Sequence, residues 1–211
     1  MGFLQALARK KNKTFAVAFS GAALIAFFAY YAVCEFNSGW TFFRADPWNL
    51  WDFAIYLLAY GIIFAANILN DNVAYRGILM FVFFTFLSRV FALFPASNNL
   101  IAAVNSGDPL LISLFVLFLA LTLGQFAIGL LLYFWIYRYA RGVSNDFVRV
   151  RVFAIVYAGI LLASAALRGI LLVLITGSFG PVYALMIFLL PISEVLMSVA
   201  IVFTLERLRR L

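Results

Sequence analysis

Histidine is absent from this 211-residue chain, cysteine occurs once, and lysine is confined to positions 10, 11 and 13. Each gap removes a class of chemistry. Without histidine, a bis-histidine haem, a histidine-bearing zinc site and a Ser-His-Asp triad are excluded. Cys34 alone closes no internal disulfide and builds no multi-cysteine metal site. With no lysine beyond Lys13, a Schiff-base lysine within the apolar runs is excluded too. Phosphate-cradling glycine loops and carboxylates at metal-ligand spacing are missing as well, and Asp46, Asp52 and Asp108 stand isolated. The inventory argues against an enzyme and implies neither a cofactor nor a metal.

Charge is scarce, at 11% of residues, while 67% are hydrophobic. A water-soluble domain of this length has no core large enough to hide that much apolar surface. The expected fold is an all-α integral membrane protein, with residues 1–211 as a single transmembrane domain. Hydropathy places six transmembrane helices at about 14–34, 50–69, 77–95, 110–136, 152–175 and 182–204. The stretch from Thr14 to Cys34 is too long for a signal-peptide core and lacks a convincing cleavage site, so it reads as a retained span.

A net charge of +7 raises nucleic acid as a partner, but its distribution points to the lipid bilayer instead. Arg9, Lys10, Lys11 and Lys13 precede the first span. Arg138, Arg141, Arg149 and Arg151 separate the fourth from the fifth, and Arg207, Arg209 and Arg210 follow the sixth. Basic residues in short segments beside spans mark the cytoplasmic side. Both termini are therefore expected in the cytoplasm and the chain in a plasma membrane, of the bacterial inner-membrane type. Trp40, Trp48 and Trp51 fit an outer aromatic belt, and Tyr133, Trp135, Tyr137 and Tyr139 an inner one. Two Asp-Pro pairs, at 46–47 and 108–109, read as helix starts with Asp at the N-cap and Pro at N1. Asn98, Asn99 and Asn105 are expected in an outer loop of roughly fifteen residues that caps the bundle.

Polar residues inside the apolar runs are few. Arg89, Gln125 and Glu194 each lie thirteen positions from an arginine at the basic side: Arg76, Arg138 and Arg207. That is roughly 20 Å along a helix, near the middle of a hydrocarbon slab roughly 30 Å thick, if the markers reach the headgroups. Charges at that depth are costly and face a bundle interior. Arg168, seventeen positions beyond Arg151, lies roughly 6 Å nearer the outer surface if the helices stand upright. Depth thus favours Arg89 as the partner of Glu194, although tilt would erase the difference. Two arginines against one glutamate leave an excess of +1, suited to a small anionic or polar ligand. Pro191 removes a backbone donor and frees the carbonyl of Ile187, predicting a helix break beside a binding site. Two plainer readings compete: an Arg-Glu pair that fixes helix packing, and an Arg168 that snorkels outward.

A weak internal repeat supports three helical hairpins. A shift of 62 residues lays Asp46-Pro47 on Asp108-Pro109, Phe64-Ala65 on Phe126-Ala127 and Tyr75-Arg76 on Tyr137-Arg138; a shift of 69 lays Gln125 on Glu194 and Arg138 on Arg207. The first hairpin carries Phe27 and Ile63 at the matching depth. Polar work is therefore expected of spans three to six, with spans one and two left for packing. Ala18, Ala22 and Ala26 recur at four-residue spacing beside Gly21. Such a stripe allows close helix approach, either within the chain or against another membrane subunit.

In size, six spans, inward termini and the alanine-rich first span (Ala18, Ala22, Ala26), the chain resembles the substrate-binding membrane subunit of energy-coupling-factor vitamin transporters. The resemblance covers this outline and no substrate motif; it implies a transport component working with other membrane subunits. The leading expectation is a transport component that binds or passes a small polar solute or ion at Arg89, Gln125, Arg168 and Glu194. The alternative is a non-catalytic structural or assembly subunit of a larger membrane complex.

Overall fold

The computed structural model describes residues 3–45, 47–69, 73–141, 147–177 and 180–209. They form seven helices: α1 (Phe3–Asn37), α2 (Phe42–Ala45), α3 (Pro47–Leu69), α4 (Ala74–Ser106), α5 (Pro109–Ala140), α6 (Phe147–Thr176) and α7 (Pro181–Arg209). No strand occurs among the described residues. All but the short α2 are long and apolar enough to cross a membrane, and each expected span lies inside one of them. Asp46 and Arg210 lie outside the described residues, as do the side chains of Arg9, Lys10, Trp48 and Arg209.

The expected fifteen-residue outer loop is not there. Sequence reading ends the third span at Pro95, but α4 passes through that position and carries Asn98, Asn99 and Asn105 on to Ser106. Leu100, Ile101, Ala102 and Ala103 sustain it. The helix stops at Gly107, whose left-handed backbone (φ 71°) suits a residue without Cβ, and whose N–H donates to the Val104 carbonyl. Asp108 follows at once as the N-cap of α5, with Oδ1 accepting from Leu110 N at 2.9 Å and Leu111 N at 3.3 Å, and Pro109 opens the helix. This bears out the reading of that Asp-Pro pair. Asp108→Ala is expected to cost about 1 kcal/mol through the lost cap, read as a lower unfolding midpoint in mild detergent.

The six long helices form a closed ring in chain order, α1 beside α3, then α4, α5, α6 and α7, with α7 returning to α1. The closing contact is the most extensive. On α1, Ala16, Ser20, Ala23, Phe27 and Tyr31 are buried at three- and four-residue spacing, as are Ser193, Met197, Ala200, Ile201 and Thr204 on α7. Small residues on both faces let the backbones come close. Near both chain ends, Phe15 and Phe19 stack on Phe203 with centroids 5.2 and 5.9 Å apart. Ala18 and Ala22 are exposed and Ala26 half-buried, so α1 packs within the chain through the adjacent face. At the other end, the rings of Tyr31, Phe43 and Phe53 gather, and Glu35 accepts from Phe43 N at 3.2 Å.

Three sequence expectations need correction. Arg207 does not reach outward; it is 3% exposed, and its Nη1 lies 3.5 Å from the carbonyl of Asn67 in the last turn of α3. Carbonyls there lack helical donors and attract a cation, so the side chain gains more by turning inward. Tyr133 and Tyr139 are buried in the core instead of forming a belt, whereas Tyr137, Trp40 and Trp51 are exposed. Nor are spans one and two purely apolar at depth, because α1 and α3 bring tyrosines to the polar centre.

Candidate functional site

Four successive ring members each contribute one of the polar residues singled out in the sequence. Arg89 of α4, Gln125 of α5, Arg168 of α6 and Glu194 of α7 all line one cavity of about 60 Å³. Tyr30 of α1 and Ser164 of α6 share its wall with Ile187, Leu190 and Pro191. Phe27 and Ile63 are fully buried in the apolar core.

The choice between Arg89 and Arg168 is resolved. Arg89 Nη2 pairs with Glu194 Oε2, bridging α4 and α7, and Arg89 Nε reaches the hydroxyl of Tyr157 at 3.4 Å. A buried ion pair offsets its desolvation only when further hydrogen bonds satisfy it. Tyr157 supplies one on the arginine side. Beside the carboxylate, Ser193 Oγ and Tyr60 OH lie 3.0 Å apart, tying α7 to α3, while Ser198 Oγ donates to the Glu194 carbonyl at 2.8 Å.

Around this pair lies a shell of hydroxyls that sequence reasoning did not assign. Tyr56 and Tyr133 both lie beside Thr85. Ser164 Oγ is buried without a hydrogen-bond partner among the described residues. Buried polar atoms lacking protein partners are places where ordered water or a ligand completes the shell. The usable signal was the Tyr56/Tyr60 pair, four residues apart and so on one helix face; depth alone does not say which face turns inward.

Pro191 lies inside α7, which stays helical from Pro181 to Arg209. The expected break therefore reduces to the one hydrogen bond that proline cannot donate, leaving the carbonyl of Ile187 unpaired along the helix. Both residues line the cavity.

Arg168 differs from Arg89 in its surroundings. Its side chain is exposed at the cavity's edge, with the guanidinium 5.2 Å from the centroid of the Phe118 ring. No carboxylate lies within ion-pairing distance of it among the described residues. The charges lining the cavity, two arginines and one glutamate, therefore sum to +1.

The six apolar crossing helices fit a multi-pass membrane protein. Comparison with protein families, curated proteins and solved structures finds no match, so any finer reading rests on the residues and their geometry.

Proposed function

We propose that the chain is a membrane transport component that binds a small anion in the cavity between Arg89, Gln125, Arg168 and Glu194. The observation that carries the reading is the convergence of these residues, from four successive helices, on one cavity with an excess positive charge. Arg89, held by Glu194 and Tyr157, supplies a fixed positive wall. Arg168 has no carboxylate partner among the described residues and supplies the charge that an anion neutralises. The Gln125 amide and the Ser164 hydroxyl offer donors in place of the anion's hydration shell.

Size selects among solutes. At about 60 Å³, the space suits a halide or a very small oxyanion. Drug-sized ligands occupy pockets of roughly 300–1,000 Å³, so a vitamin of the kind implied by the outline resemblance does not fit this space. In the proposed orientation the basic segments and both termini face the cytoplasm of a bacterial inner membrane, and α1–α3, α4–α5 and α6–α7 are the repeating hairpins.

Flux of chloride, nitrate and formate into vesicles reconstituted with the chain tests the proposal. Flux above protein-free vesicles is expected for at least one anion, falling about tenfold in Arg168→Gln, the worth of one charge-assisted hydrogen bond. Flux equal to that of empty vesicles for all three anions would overturn it. One observation favours the assembly-subunit reading as the second choice: Ala18 and Ala22 leave a small-residue face of α1 unused within the chain.

A further inference from the structure

Arg168 belongs to two spaces at once. One side lines the polar cavity; another lines a separate groove of about 440 Å³ between α4, α5 and α6. Among the described residues, Asn99 is the groove's only other polar one, and Phe115, Phe118, Leu171 and Ile175 are among its apolar walls. Helical rise gives the groove a direction. Measured back from the α4–α5 and α6–α7 ends of the helices, Phe118 and Arg168 lie roughly 12–14 Å deep and Asn99 roughly 10 Å. Leu171 lies roughly 7 Å deep, and Ile175 sits almost at the helix end. The cation and the amide are thus at the deep half, and the shallow half is apolar.

That polarity fits one shape of ligand. A bilayer phospholipid carries its charge at the surface and its chains inward, the opposite order. A molecule entering from the aqueous side with its anionic end first places charge on Arg168 and its apolar body beside Phe115, Leu171 and Ile175. The Phe118 ring holds the guanidinium from one side, at 5.2 Å, and so fixes it as a docking group. With no carboxylate at ion-pairing distance among the described residues, the guanidinium offers its fork to a planar anion. We infer that this groove is a binding site for a water-borne organic monocarboxylate with an apolar tail, its carboxylate on Arg168 and Asn99. Arg168 to Ile175 spans roughly 10 Å, which sets the length of tail that is covered. The cavity of about 60 Å³ behind Arg168 is too small for that tail. The groove is therefore a second site, and its occupancy does not depend on the transport reading.

Thermal-shift titrations in nanodiscs of zwitterionic lipid decide the matter, with octanoate, octanol and acetate as probes. Octanol keeps the tail without the charge, and acetate keeps the charge without the tail. Octanoate is expected to stabilise the chain saturably, at concentrations about tenfold lower than either control. Arg168→Gln should make octanoate and octanol equivalent. Leu172→Trp, which fills the groove and leaves Arg168 in place, should remove the octanoate response. Equal responses of the wild-type chain to octanoate and octanol would overturn the proposal, as would an unchanged octanoate preference in either variant. If Arg168→Gln does not fold, the wild-type comparison and Leu172→Trp still decide. Anionic phospholipid added to the discs supplies a further arm. Loss of the octanoate response in its presence would assign the groove to a lipid headgroup instead.

Discussion

Replacing Arg89 alone with leucine, or Glu194 alone, is expected to destabilise the folded chain by about 3–5 kcal/mol, because each change strands a buried charge. Glu194 is 3% exposed, and Arg89 has only Tyr157 besides the carboxylate among the described residues. The double replacement Arg89→Leu/Glu194→Leu is expected to recover much of that loss, since two apolar side chains leave no charge unpaired. A double-mutant cycle on unfolding free energies in mild detergent measures the coupling. Additive single losses would mean that the pair contributes nothing as a pair. Recovery of stability without recovery of anion flux would separate packing from transport at the same residues.

Gly77→Leu should be the next most damaging change, at about 1–3 kcal/mol or more for forced repacking. A Cβ at Gly77 would lie 2.8 Å from Ile62 Cγ2, 2.9 Å from Ile63 Cγ1 and 3.1 Å from the Ile63 backbone nitrogen. The backbone contact cannot yield by a rotamer change, so α3 and α4 must separate. Gly61 provides the control: nothing lies within 4 Å of a Cβ there, and alanine should stabilise α3 by roughly 0.5–1 kcal/mol. Unfolding midpoints of the two variants should shift in opposite directions. A Gly77→Leu protein as stable as the parent would show that α3 and α4 are not held at this distance.

The features legible in the sequence were those that depend on position along a helix. Thirteen-residue spacings from Arg76 and Arg207 put Arg89 and Glu194 at one depth, and the structure joins them. Helix existence followed from apolar length, and the Asp108 cap from residue type. What escaped depended on rotation about the helix axis. Tyr133 was assigned to a belt because tyrosine suits both an interface and a core; only the packed ring turns it inward, toward Tyr157. Position near the chain end marks Arg207 as outward, and the open carbonyls at the end of α3 turn it back. Pro95 suggested a boundary, yet helix formers on its far side carried α4 further. Sequence pattern gives depth well and azimuth poorly, and a site built across a ring needs both.

The ring also imposes an order on biogenesis. Arg89 enters the growing chain 105 residues before Glu194. At ribosomal speeds of about 5–20 residues per second, its counter-charge is about 5–20 s late. The same final helix brings the face that closes on α1, so charge neutralisation and ring closure arrive together. Until then, α1 and α6 each present the surface that α7 will cover. A nascent chain stalled before Pro181 therefore exposes both an unpaired arginine and an open seam.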